Sequence, residues 1–128
     1  MNSKMVVGTW RLEDFQIEDE DGKRAWGKNL RGLLIYAPSG HMSVSINKDV
    51  QPDGDNESEN ILDSILFYSG TYRVDGEKVF HQVTVASSPA RVGKEMVRQA
   101  RLEGDTLSLD TPPEASPKAT LIWKRIAQ

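Results

Sequence analysis

Apolar and polar positions alternate with a period of two along most of the chain, and Gly, Pro, Asn and Asp recur at short intervals between the alternating runs. Alternation puts every second side chain on one face of extended backbone, so the pattern predicts an all-β sandwich or barrel. The run "LLIYAPSGHMSVSI" reads as a hairpin. Pro38 suits the first corner of a type I turn and Gly40 the left-handed position after it. Tyr36 then faces Met42, Leu34 faces Val44, and Ile35 shares the other face with His41 and Ser43. The run "GTYRVDGEKVFHQVTV" is a second hairpin. Placing its turn at Asp75-Gly76 pairs Tyr72 with Val79 and gives one face to Val79, His81, Val83 and Val85. In "VRQARLEGDTLSLDT" a turn at Gly104-Asp105 sets Leu102 opposite Leu107 and Ala100 opposite Leu109, and Arg98 and Met96 continue that face. "GTWRLEDFQIED" opens the sheet, "KRAWG" is a short second strand, and "ATLIWKRI" is the last.

The alternation breaks between residues 57 and 68. In "ESENILDSILFY", Ile61, Leu62, Ile65 and Leu66 recur at helical spacing and Ser58 is a suitable N-cap, which predicts one short amphipathic helix across an opening of the sheet. The polar stretch "NKDVQPDGDNESEN" before it reads as a loop; the helix either closes a mouth of the barrel, where it would be the gate, or packs outside it. "DTPPEASPK" is another loop, stiffened by its prolines. The pattern therefore yields about eight to ten short strands joined by tight turns. A meander of that kind hides its edges most simply by closing into an up-and-down barrel. A barrel of about eight strands has room for one small ligand. A two-sheet sandwich shares the same periodicity.

Length and composition narrow the partners. The 128 residues make a single domain, 1–128, long enough to bury a core without staples. No cysteine is present, which excludes disulfides, thiolate metal sites and a thiol nucleophile. A net charge of −3 and no basic run argue against nucleic acid. The start, "MNSKMVVGTW", has no apolar core of a signal peptide, and no run reaches membrane-spanning length, so a cytoplasmic location without a membrane span is the expectation. A homodimer stays open.

Two side chains stand out on otherwise apolar faces. His81, one of two histidines in the chain, shares its face with valines and Tyr72. A neutral imidazole in a lumen can accept or deliver a proton, or it can be a buried histidine bonded to a tyrosine hydroxyl or a backbone carbonyl. Arg98 lies among Met96, Ala100 and Leu102. A guanidinium is almost never buried unpaired, so it meets a carboxylate, an anionic or carbonyl group of a ligand, or solvent at a barrel mouth. Tyr36 and Tyr72 carry polar tips on apolar bodies and suit a pocket wall as well as a core rim. With Met42, Val83 and Met96 they complete the candidate ligand-binding set around His81 and Arg98. His41, on a face with Ser43 and Ser45, is read as solvent-facing. Two histidines in separate hairpins make no metal site, no Ser-His-Asp order or phosphate loop appears, and "EDEDG" reads as a solvated turn rather than a calcium loop. No cofactor is expected.

Several of these stretches together carry a resemblance. "GTW" at 8–10 resembles the Gly-x-Trp signature of lipocalins, and Arg125 in "LIWKRI" stands near where lipocalins place an arginine over that tryptophan. In order, "GTWRL", "RGLLIYAPSGHMSV", "YSGTYRVDG", "HQVTV" and "LEGDTLSL" resemble the bacterial and fungal lipocalin-like domain family over nearly the whole chain. One departure is Arg91 in "SPARVG", where family members carry an aromatic residue. The resemblance implies a lipocalin-like calycin barrel with Trp10 packed at its closed end under Arg125, or Trp123 in that place if the parity of the last strand is reversed. Related proteins include carriers and also cyclases or isomerases of apolar intermediates, and fold alone does not choose between them. The expected function is binding of a small, largely apolar molecule in the lumen. The alternative is a cyclase, isomerase or dehydratase of specialised metabolism, in which His81 moves a proton and Arg98 stabilises developing negative charge. A filled barrel serving as an interaction domain is the third reading.

Overall fold

The computed structural model describes residues 1–50 and 64–128. One helical turn, α1 (Ser3–Val6), leads into β1 (Gly8–Asp19), β2 (Gly22–Ala25), β3 (Arg31–Tyr36), β4 (His41–Asn47), β5 (Ile65–Asp75), β6 (Lys78–Ala86), β7 (Glu95–Glu103), β8 (Thr106–Asp110) and β9 (Lys118–Ala127), with a 3-10 turn at Pro89–Arg91 before β7. From β3 onward each strand pairs antiparallel with the next, and β9 returns to pair with β1 from Thr9 to Glu18. The other edge of β1 is shared: Gly8–Arg11 pair with β3 and Gln16–Asp19 with β2. β1 and β3–β9 thus form a closed up-and-down barrel, and β2 is an extra strand on the far half of β1. Closure leaves no long edge open to another chain, which an open meander of these strands would expose.

The short turns follow their local chemistry. Between β3 and β4 the Gly40 amide donates to the Ala37 carbonyl at 3.1 Å, with Pro38 at the first corner and Gly40 at φ +89. That geometry pairs Tyr36 with Met42 and Leu34 with Val44, as the alternation predicts. The β7–β8 turn places Gly104 at φ +59 and sets Leu102 opposite Leu107 and Ala100 opposite Leu109. Between β1 and β2, the Asp19 carboxylate takes two bonds from Arg24, at 2.9 and 2.8 Å, so the acidic run is a salt-bridged turn.

Three expectations change. The β5–β6 turn is centred on Gly76-Glu77, not Asp75-Gly76, so Asp75 pairs with Lys78 and Tyr72 with His81 rather than Val79. Moving a turn by one residue moves the pairing by two and leaves every face as it was, so His81 still points inward. Val85 does not. Ser69 pairs with Val85 but Gly70 with Val83, so β6 carries one extra residue there, a bulge that reverses the alternation. Val85 is accordingly 49% exposed while Val83 is 1%. Gly70 permits this bend, because a Cβ there would lie 1.8 Å from the Gln82 carbonyl oxygen. Finally, Ile65 and Leu66 are strand, not helix: they pair with Asn47 and Ile46. Extended backbone gives their amides partners on β4 and continues the inward series Leu66, Tyr68, Gly70, Tyr72. The rest of the expected helix, with Ile61 and Leu62, and most of the loop before it lie outside the described residues.

The inward side chains of all eight barrel strands form one core, including Trp10, Leu34, Tyr36, Val79, Val83, Leu107 and Trp123. At one end α1 turns across the barrel and buries Val6 against it. The Trp10 indole N–H donates to the Val6 carbonyl at 3.0 Å, and the Arg125 guanidinium lies 4.5 Å from the centre of the Trp10 ring. Arg125 also donates to the Met5 carbonyl. Trp10, not Trp123, therefore holds the closed end. At the other end Trp26, just past β2, stacks on Phe15 with ring centres 5.1 Å apart, and the Lys48 ammonium sits 4.1 Å from the Trp26 ring.

Candidate functional site: a tyrosine-held histidine beside a lumen cavity

His81 is 2% exposed, deep in the barrel. Both ring nitrogens are taken: Nε2 lies 2.6 Å from the Tyr36 hydroxyl and Nδ1 2.7 Å from the Tyr68 hydroxyl. Three strands set this up. β3 ends on Tyr36, β6 places His81 by its alternation, and β5 places Tyr68 two residues before Gly70. Burial in apolar surroundings, with the Arg98 charge adding to it, lowers the His81 pKa to about 3, so the imidazole is neutral at physiological pH. Burial raises both tyrosines above their ordinary range, Tyr36 the more strongly. The three rings form a neutral chain of polar groups inside an apolar core. A second layer supports it: Tyr72 packs on Tyr36 with ring centres 4.6 Å apart, and its hydroxyl donates to the Ala37 carbonyl at 2.8 Å.

Beside this chain lies a cavity of about 200 Å³. Phe15, Leu34, Val44, Ile46, Leu66 and Leu121 are among its apolar walls, and Tyr68, His81, Arg91, Arg98, Thr111 and Trp123 are its polar ones. Arg98 donates to the neighbouring Val97 carbonyl at 2.8 Å. Among the described residues, no carboxylate forms an ion pair with it. Trp123 is 1% exposed, and its indole N–H has no acceptor among the described residues. A larger hollow near Met1 and Met5 is lined by charges of both signs, among them Asp75, Glu77, Lys78 and Arg101, and resembles ordinary wet surface.

Of the residues singled out in the sequence, His81, Arg98 and Met96 line the cavity together. Tyr36 stands behind His81 and reaches the cavity only through it. Tyr72 is one layer further back. Met42 and Val83 point inward but are packed into the core away from the cavity walls. His41 is exposed, with its Nδ1 2.9 Å from the Ser39 hydroxyl. Sequence reasoning missed Tyr68, because it fell in the segment read as helix, and it left Trp123 as a substitute for Trp10 rather than a lumen wall. The signal for Tyr68 was available: "LFYSGTYRV" alternates without a break if the strand is begun at Ile65.

A small closed meander barrel with a hollow of about 200 Å³ inside its walls is the class that this architecture defines. Residues 7–126 match the family of the lipocalin-like domain, and the chain belongs to that family. No curated protein matches the chain. Among solved structures it is similar to a de novo designed fluorescence-activating β-barrel, at 13% identity over 96% of this chain and 95% of the designed one, with a TM-score of 0.49.

Proposed function

We infer that the protein binds a small, largely apolar molecule in the barrel lumen. The observation that carries this is the cavity itself: a hollow walled by Phe15, Leu34, Val44, Ile46, Leu66 and Leu121 together with a smaller set of polar groups. Apolar walls give affinity and sparse polar groups give orientation. His81, Arg98 and Met96 are the proposed contacts from the sequence, and Tyr68 and Trp123 join them. Tyr36 and Tyr72 hold His81 in place.

The catalytic alternative gains less from the geometry. An imidazole that is to move a substrate proton needs a nitrogen within reach of the substrate, and both nitrogens of His81 are engaged by tyrosine hydroxyls. Any proton would have to pass through Tyr68. Binding therefore accounts for the site with fewer steps.

Among the described residues no helix is long and apolar enough to cross a membrane. We place the protein in the cytoplasm, where a chain without cysteine gives up nothing. A homodimer would bury the apolar side chains that the outer wall exposes, Leu33, Ile35, Ile65 and Val85, and light scattering on the eluting protein reads that state.

Native mass spectrometry of freshly purified protein tests the main reading. A retained apolar small molecule, released on unfolding, is the expected result. Protein that is empty and takes up no apolar fluorophore in titration would refute it.

A further inference from the structure

The hydrogen-bonding protons around His81 can be placed by counting. A neutral imidazole has one N–H, and each tyrosine has one O–H. Of the two contacts to the ring, one is therefore a tyrosine donating to the bare nitrogen, and the other is the ring N–H donating to a tyrosine oxygen. The second tyrosine keeps its own proton free for another acceptor. If that tyrosine were Tyr36, its proton would be stranded: Tyr36 is 1% exposed, away from the cavity, and His81 is its hydrogen-bond partner. A buried unsatisfied donor costs about 1–3 kcal/mol. If it is Tyr68, the proton faces the cavity that Tyr68 lines. Burial thus selects one tautomer. Tyr36 donates to Nε2, Nδ1 donates to the Tyr68 oxygen, and the Tyr68 O–H is presented to the lumen.

Two donors, the Tyr68 hydroxyl and the guanidinium of Arg98, then belong to side chains that line the cavity, and the Trp123 indole N–H is buried in its wall with no acceptor among the described residues. Arg91 adds a second positive charge to the wall. Among the described residues, no aspartate or glutamate lines it. Asp110, next to two lining residues, falls on the outer parity of β8 and lines the outer hollow instead. The Thr111 hydroxyl is already bonded to the Ala119 backbone. In the wall formed by the described residues, donors and positive charge stand without a carboxylate to match them, which calls for a ligand that brings negative oxygen.

We propose that the lumen selects an apolar organic acid in its ionised form, a carboxylate or an acidic enol or phenol, with the anionic oxygen held by Arg98 and the Tyr68 hydroxyl and the Trp123 N–H donating alongside. This rests on the reading that the lumen binds a small molecule, and it names the class. A hollow of about 200 Å³ lies below the usual size range of ligand pockets. It therefore suits a compact body of one or two rings rather than a long acyl chain.

Calorimetric titration of the intact protein at neutral pH with 1-naphthoate and with 1-naphthalenemethanol separates the possibilities, because the two share an apolar body and differ in charge. The naphthoate should bind about 10- to 100-fold more tightly, the range expected for a charge-assisted bidentate contact. Arg98→Met should remove that preference while leaving the alcohol's affinity in place, and Tyr68→Phe should remove part of it. In wild-type protein the Trp123 indole N–H resonance, assigned by its loss in Trp123→Phe, should move downfield with naphthoate and little with the alcohol. Long-range ¹H–¹⁵N spectra should show His81 protonated on Nδ1. Equal binding of the two probes, or a preference that survives Arg98→Met, overturns the anion proposal and leaves lumen binding standing. Binding of neither probe overturns both. Protonation of His81 on Nε2 overturns the role of the Tyr68 hydroxyl.

Discussion

The closed end and the lumen site are built from the same kinds of side chain and are finished differently. Each has a buried tryptophan and an arginine nearby. At the closed end the Trp10 N–H has the Val6 carbonyl, and the Arg125 guanidinium covers the ring, donates to Met5 and faces Asp105 at 4.0 Å, with only its Nε left without a partner. In the lumen, among the described residues, the Trp123 N–H has no acceptor and Arg98 donates to a single backbone carbonyl. An interior whose donors are satisfied by its own chain contributes stability. One that leaves donors open bears a cost of about 1–3 kcal/mol for each buried group, which a ligand can recover. The difference between the two ends is the physical basis for the proposal that one serves structure and the other binding.

The sharpest way to break this comparison is Trp10→Ala. Removing a large aromatic ring from a packed core costs about 3–5 kcal/mol, and here the helical turn α1 and Arg125 lose their support as well. Chemical denaturation should show a loss of that size. A loss under about 1 kcal/mol would mean that the closed end is not the structural anchor. His81→Phe should come next, at about 2–4 kcal/mol, because it strands the Tyr36 and Tyr68 hydroxyls in an apolar interior. Changing the two tyrosines to Phe in the same protein should recover much of the loss, since removing all partners together leaves nothing unsatisfied. Failure of that rescue would show that packing, not hydrogen bonding, sets the value of the histidine.

Acid gives a smaller and more gradual effect. His81 titrates at about 3 in the folded protein, against an ordinary value of 6.5. Between those values the unfolded chain binds a proton that the folded chain does not, so stability falls as pH falls from 6.5 toward 3, and the contribution is complete above 6.5. The slope from this one group approaches about 1.4 kcal/mol per pH unit within the window. Denaturation midpoints followed from pH 7 to 4 should therefore decline less steeply in His81→Phe than in wild type. The smallest effect is expected from Arg98→Met. A methionine keeps most of the stem and removes a charge that pairs with no carboxylate among the described residues, so stability should change by less than about 1 kcal/mol or rise. A large loss would reveal that Arg98 has a structural partner, and the two regions would then be alike.

Much of the architecture was legible because it is written in local chemistry. Pro38 and Gly40 set the β3–β4 register, Gly104 set that of β7–β8, and the mixed face of His81 with its valines pointed inward whichever of two adjacent turn positions was used. The interior place of Trp10 beneath Arg125 followed from the resemblance of the two chain ends to lipocalins. These features depend on neighbouring residues, or on a parity that a two-residue shift preserves.

What the sequence could not determine by itself depends on contacts made across the barrel. Val85 faces outward because β6 gains a residue where Gly70 lets two backbones approach, and a glycine does not announce in sequence which strand will come close to it. Tyr68 is a lumen residue because β4 offers its amides a ladder that a short helix could not match. The partners of His81 lie 45 and 13 residues away, and which tyrosines close on its two nitrogens is decided when β3, β5 and β6 curve around one lumen. Where no bulge intervenes, alternation determines the side on which a residue faces. Only closure of the sheet determines what it meets there, and whether a donor such as the Trp123 N–H is left for a ligand.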